Sequence, residues 1–267
     1  MYRIGFFLFW TVSALLVTAR IWFDVNTYLH GATIPYEIVL PGECRYLLHL
    51  PPGYNDFANP KPLIVYLHGA GETDKGLNVL KNCDLWHYAK GHIPKNEFPF
   101  IVVSPQTRKH GWKPQQVIRF VETIVHDPTK RYRIDPNRVY LTGVSMGGFG
   151  AFETACAFPN EFAAIVPVCG GGNTENAIQL IDVSVWAFHG DADDVVAYER
   201  SSNMIDAIKE LGGKQARLTT LHGAGHGIAG DVYRQRDLFR WLLTQMNNKN
   251  NFDRRCPHVF PKSIYTD

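Results

Sequence analysis

The sequence predicts a single large α/β domain, a mostly parallel sheet with helices on both faces. Three observations carry that expectation. Apolar, β-rich runs alternate with segments of helical period, as they do where crossover helices join parallel strands. The runs are continuously apolar rather than alternating, which suits strands covered on both sides. The glycine-rich loops each follow a predicted strand, and ligands of such sheets gather at strand carboxyl ends.

The elements follow in chain order. "MYRIGFFLFWTVSALLVTARIWFD" opens with one early positive charge, Arg3, and an uncharged, mostly apolar run from Ile4 to Ala19. Val17-Thr18-Ala19 puts small residues where a signal peptidase would cut. Residues 1–19 are expected to be a signal peptide, or a membrane anchor if uncleaved; the run falls short of the ~20 apolar residues of a full span. The catalytic domain is expected over residues 36–248, with 249–267 as a tail. "CRYLLHL" is a predicted strand, closed by Pro51-Pro52-Gly53. "LIVYLHG" (Leu63 to Gly69) and "FIVVSP" (Phe100 to Pro105) are buried strands. Gln115 to His126 carries Val117, Ile118, Val121, Ile124 and Val125 at helical spacing. "VYLTG" (Val139 to Gly143) is a strand after the turn Asp135-Pro136-Asn137, followed by the helical run "GGFGAFETACAF", which stops at Pro159. "FAAIVPV", "VSVWAFHG" and "ARLTTL" complete the strands. Ser201 to Leu211 reads as a helix stopped by Gly212-Gly213, and Asp237 to Met246 as the last amphipathic helix.

Composition narrows the function. Hydrophobic residues make up 45% of the 267 and charged residues 19%, ordinary for a globular chain. The net charge is +2 and no Lys/Arg cluster, zinc-finger spacing or RNA-binding aromatic motif occurs, so no nucleic-acid partner is expected. The five cysteines, Cys44, Cys83, Cys156, Cys169 and Cys256, match no zinc spacing, and an odd number leaves at least one without an intramolecular partner.

"LTGVSMGGFGAF" (Leu141 to Phe152) carries the chemistry. Gly143-Val144-Ser145-Met146-Gly147 fits Gly-x-Ser-x-Gly between a predicted strand and a predicted helix, the context of a nucleophile elbow. A Walker loop would need Lys-Ser/Thr after the glycines, and a dinucleotide fingerprint would need Gly-x-Gly-x-x-Gly. A serine hydroxyl needs a base to take its proton, with an acid and a histidine following in that order. "FHGDADDVV" offers Asp191, Asp193 and Asp194; "LHGAGHGIAGDVY" offers His222 and His226.

With those motifs the chain resembles the α/β-hydrolase superfamily. More narrowly it is similar to small secreted carboxylesterases: feruloyl esterases, polyhydroxyalkanoate depolymerase-like esterases and predicted secreted peptidases. The likeness runs from about Arg45 to Gln245 on "LHGAGE", "IVVSPQ", "RIDPNRVYLTGVSMGG", "FHGDADDVV" and "GAGHG". It implies His-Gly-x-x-Asp for the acid, hence Asp193, and a Gly-His pair for the base, hence His226. Ala197 stands where many relatives have proline.

The resemblance implies a catalytic set of Ser145, Asp193 and His226. Backbone N–H groups of Met146 and Ala70 are the expected oxyanion hole. Gly71, Glu72, Gln106 and Trp112 are candidate substrate-binding residues, Trp112 with packing as its alternative; His68 and His189 are expected to be structural. No metal and no cofactor are expected. Cys169 to Asp182 leaves too little room for a cap domain. The expected activity is serine carboxylic-ester hydrolysis through an acyl-enzyme on acyl or feruloyl-type esters, bulky or polymer-linked substrates included. The alternatives are a serine peptidase of the same fold or a non-catalytic binding module. The only expected partner is the substrate, in a secreted or periplasmic protein, with a membrane partner only if the N-terminal segment is retained.

Overall fold

The structure, a computed structural model, describes residues 32–38, 44–52, 54, 59–89, 98–108, 110–126 and 132–247; the expected signal peptide and the whole of the expected tail lie outside them. Among the described residues eight strands form one sheet in the order β1-β2-β4-β3-β5-β6-β7-β8. They are β1 (Ala32–Ile38), β2 (Cys44–Leu50), β3 (Lys61–Leu67), β4 (Ile101–Gln106), β5 (Ile134–Val144), β6 (Ala164–Val168), β7 (Ser184–Gly190) and β8 (Ala216–Leu221). β2 is antiparallel to both β1 and β4, and every pairing from β4 through β8 is parallel.

Two apolar layers sandwich the sheet, as the continuous apolar runs require. One holds α3 (Pro114–Val125), α4 (Met146–Ala157) and α5 (Glu199–Glu210). α3 starts with proline at its first turn and buries Val117, Ile118, Phe120, Val121 and Ile124, each worth roughly 1.5–3 kcal/mol. α5 buries Met204, Ile205 and Ile208, and Gly212, at φ 97°, follows its end. The other layer holds the short helices α1 (Leu77–Leu80), α2 (Asp84–Ala89) and α6 (Ala229–Tyr233) with α7 (Arg236–Thr244).

Three details differ from the sequence expectation. β1 pairs with β2 and extends the sheet ahead of residue 36, the expected start of the domain. Asp135-Pro136-Asn137 is not a turn before the strand. β5 already begins at Ile134 and runs through it, with an irregular register opposite Lys61 to Leu63 and the Asn137 N–H on Asp135 Oδ1 at 2.9 Å. α1, α2 and α6, of four to six residues, are too short to show a helical period. Between β6 and β7 stands only a loop with the 3-10 turn Thr174–Leu180, so no cap is inserted there.

Candidate active site

The elbow is built by glycines that admit backbone where a side chain would collide. Ser145 joins β5 to α4 at φ 56°, ψ −118°, a conformation that L-residues rarely adopt. A Cβ on Gly143 would lie 2.4 Å from the Gly147 carbonyl oxygen. One on Gly147 would lie 1.9 Å from the Leu67 oxygen, and one on Gly148 2.6 Å from the Val168 oxygen. α4 therefore sits tight on the ends of β3 and β6. The Ser145 N–H donates to the Val168 carbonyl at 2.8 Å. The N–H groups of Met146 and its neighbours, in the first turn of α4, have no acceptor within the helix.

The loop after β3 faces that turn. Gly69 precedes the 3-10 turn Ala70–Glu72; Ala70 and Gly71 are exposed and Glu72 is half-buried. His68 pins the loop. Its Nε2 accepts the Thr107 N–H at 3.1 Å, so Nδ1 carries the proton and donates to the Gly69 carbonyl at 2.6 Å. Burial lowers the His68 pKa, against the Gly69 carbonyl and Glu72, which raise it. Gln106 is buried and donates from Nε2 to the carbonyls of Glu72 and Gly76. Trp112 is buried beside Gly150, its indole N–H on the His68 carbonyl at 3.0 Å. Both side chains brace the loop.

The acid and the histidine meet at the ends of β7 and β8. His226 Nδ1 donates to Asp193 Oδ2 at 2.7 Å, which leaves the far ring nitrogen for the serine proton. Oδ1 of Asp193 accepts the N–H groups of Val195 and Val196, both at 2.9 Å. Burial pushes the Asp193 pKa up, but the Val196 N–H, the His226 imidazole and the Val195 N–H outweigh it and leave about 2. The other expected candidates pair with each other: Asp191 Oδ2 accepts from His222 Nδ1 at 2.8 Å, on an exposed rim. Asp194 is exposed. Close approach of the two loops needs Gly190, whose Cβ would meet the Ala224 carbonyl oxygen at 2.2 Å.

Cys169 closes the ring of contacts. It follows Val168, at φ 47°, with its thiol on the His226 carbonyl at 3.5 Å. The backbone that binds Ser145 thus leads directly to the histidine loop. Among the described residues the Ser145 hydroxyl has no hydrogen bond to the ring; such contacts often close only with substrate bound. Ligand atoms of Cys169, Asp193 and His226 lie within 4.8 Å of one another. Burial first, and Asp193 next, push the Cys169 thiol up to about 12. Asp193 Oδ2 is engaged by His226 Nδ1 and Oδ1 by two backbone N–H groups. Sequence reading missed Cys169, whose one signal was a cysteine directly after a predicted strand.

A thermostable esterase superposes with a TM-score of 0.67 at 29% identity, over 80% of this chain and 63% of that one. The chain belongs to the α/β-hydrolase superfamily. In this α/β-hydrolase-fold chain, residues 172–249 match the model of the prolyl oligopeptidase family. Among curated proteins it is 31% identical over 151 residues to the bifunctional acetylxylan esterase/xylanase XynS20E of Neocallimastix patriciarum, 55% of this chain and 21% of that protein. It is 28% identical over 165 residues to feruloyl esterase D of Neurospora crassa, 57% of this chain and 54% of that protein. The chain thus spans about a fifth to a half of these relatives' length.

Proposed function

We propose that this α/β-hydrolase is a serine carboxylic-ester hydrolase working through an acyl-enzyme. The observation that carries the reading is Ser145 held at φ 56° at the start of α4, its N–H on Val168, whose neighbour Cys169 meets the loop of an Asp193–His226 pair at 2.7 Å. The His226 far ring nitrogen takes the hydroxyl proton as Ser145 Oγ attacks the ester carbonyl. Asp193, ionised and holding Nδ1–H, stabilises the imidazolium. The N–H groups of Met146 and Ala70 receive the oxyanion, each worth about 3 kcal/mol of barrier. His226 then protonates the leaving alkoxide as the carbon–oxygen bond breaks. Water repeats the sequence on the acyl-enzyme, releasing the acid and restoring Ser145.

The substrate class rests on the relatives' names, feruloyl esterase and acetylxylan esterase, and on the missing cap between β6 and β7, which favours bulky or polymer-linked esters. Glu72 and Gly71 flank the oxyanion loop and are the substrate contacts we favour. The sequence of residues 1–19 supports export of the protein. The prolyl oligopeptidase match over residues 172–249 favours a second reading, amide cleavage by the same triad.

The test compares the purified protein with Ser145→Ala on short-chain and aromatic acyl esters and on matched amides. Ester turnover lost in Ser145→Ala, with fluorophosphonate labelling of Ser145, is the expected result. Faster amide than ester turnover would move the peptidase reading to the front. No turnover and no labelling would sink both and leave a binding module.

A further inference from the structure

His189, the residue before the last of β7, is fully buried and outside the catalytic set. Its Nε2 lies 2.9 Å from the Val196 carbonyl oxygen and 3.2 Å from Asp193 Oδ2. Both neighbours only accept at neutral pH, so Nε2 carries a hydrogen. Its Nδ1 lies 2.7 Å from Ser201 Oγ, and that hydroxyl also lies 2.8 Å from the Gly170 carbonyl oxygen. Ser201 has one hydrogen to give to Gly170 or to Nδ1. The Nε2–H donates to the Val196 carbonyl, and Nε2 sits beside Asp193 Oδ2.

The anchoring is what separates His189 from the other groups in contact with Asp193. Val195 and Val196 belong to the same loop as the acid, and His226 is the group to be positioned. His189 reaches outside that loop, through Ser201 on α5 to Gly170 after β6. Gly170 in turn packs on the elbow helix: a Cβ there would lie 2.5 Å from the Gly148 carbonyl carbon. One path of contacts therefore runs from α4 through Gly170, Ser201 and His189 to the acid.

We propose that His189 is a positioning residue, which fixes the Asp193 carboxylate, and through it the His226 ring, relative to the Ser145 elbow. The proposal rests on the triad reading above. His189→Gln and His189→Asn test it, because a Gln amide nitrogen can occupy the Nε2 place and an Asn one cannot. The measurements are kcat and KM on a short acyl ester, the urea midpoint, and the low-field proton resonance of His226 Nδ1–H. Loss of the bond that holds the acid's loop at Val196, together with the 3.2 Å contact on the carboxylate, should lower kcat in His189→Asn about 10- to 100-fold with KM little changed. The low-field resonance should shift or vanish in that variant, and His189→Gln should recover most of kcat. Equal activity in both variants, or equal loss in both, would overturn the proposal.

If His189→Asn does not fold, Ser201→Ala decides. A fall in kcat with an unchanged urea midpoint supports the path of contacts, and wild-type kcat overturns it. Ester turnover and Ser145 labelling of the wild-type protein keep this test apart from the first. Their absence removes the triad reading. Their presence, with full activity in His189→Asn, removes this proposal alone.

Discussion

Replacing Gly147 by alanine should break the elbow. The new Cβ would lie 1.9 Å from the Leu67 oxygen, 2.6 Å from the Leu67 carbonyl carbon and 2.9 Å from the His68 oxygen. All three are backbone atoms, so no side chain can swing aside. An ordinary contact begins near 3.4 Å, so α4 and the end of β3 must part by about 1.5 Å. Overpacking costs about 1–3 kcal/mol where neighbours can adjust; with backbone on every side the cost belongs at the upper end. Three kcal/mol corresponds to roughly 6–10 °C in a domain of this size. The same shift moves the Ala70 turn away from Ser145, and a 1 Å misplacement costs about 100-fold in rate. Urea unfolding, a thermal melt and the rate of fluorophosphonate labelling read these effects. Gly71→Ala is the stability control, since nothing lies within 4 Å of its Cβ position. A Gly147→Ala protein that melts and labels like wild type would refute the described contact between the elbow and β3.

Other outcomes follow from the same contacts. Asp193→Asn should keep the fold and lower kcat about 10⁴-fold, because the imidazole loses its orienting acceptor; steady-state kinetics on an ester check it. Asp193 is held at about 2 against an ordinary 3.8, so its stabilising contribution is complete above pH 5 and fades as pH falls from about 4 to 2. That contribution is about 2 kcal/mol, and the urea midpoint of Asp193→Asn should fall less over that window. The free thiols of Cys83, Cys156 and Cys169 are buried and each pushed up to about 12, chiefly by burial. Peptides containing them should resist iodoacetamide at pH 8 until denaturant is added, as read by mass spectrometry. Arg217 lies 3.5 Å from the Trp186 ring centroid and 5.2 Å from that of Trp241, so Arg217→Ala should cost about 0.5–2 kcal/mol in the urea midpoint.

The central strands were legible because burial on both faces leaves one signal. A run such as "LIVYL" (Leu63 to Leu67) presents no polar face, and the cores of β4, β6 and β7 read the same way. Helices of about twelve residues showed their period, and those of four to six could not. The two carboxylates Asp191 and Asp193 shared one loop, and sequence order alone did not choose between them. The structure gives each a histidine, Asp191 with His222 on an exposed rim and Asp193 with His226 in a buried setting. His68 was expected to be structural and Trp112 had packing as its alternative, but their particular partners were hidden for another reason. Each holds a backbone carbonyl or N–H of a distant segment, and such bonds leave no periodic trace in sequence.

Strain locates the site independently of any motif. Among the described residues three that are not glycine have positive φ: Asp74, Ser145 and Cys169. Such residues cost of order 1–3 kcal/mol each and persist only where the surroundings over-determine them. Ser145 and Cys169 follow the ends of adjacent strands, and the Ser145 N–H binds the residue just before Cys169. Gly148 and Gly170 interlock between them, with a Cβ on either colliding with the other's backbone. Both strained residues are therefore held by one packing event, the seating of α4 on the ends of β5 and β6. That event fixes the Ser145 backbone at the elbow and brings the Cys169 thiol to the His226 carbonyl. A change that loosened it would release strain at both positions, so stability could rise while the serine lost its register with the histidine. A variant that gains stability and loses Ser145 labelling would be the signature of that coupling.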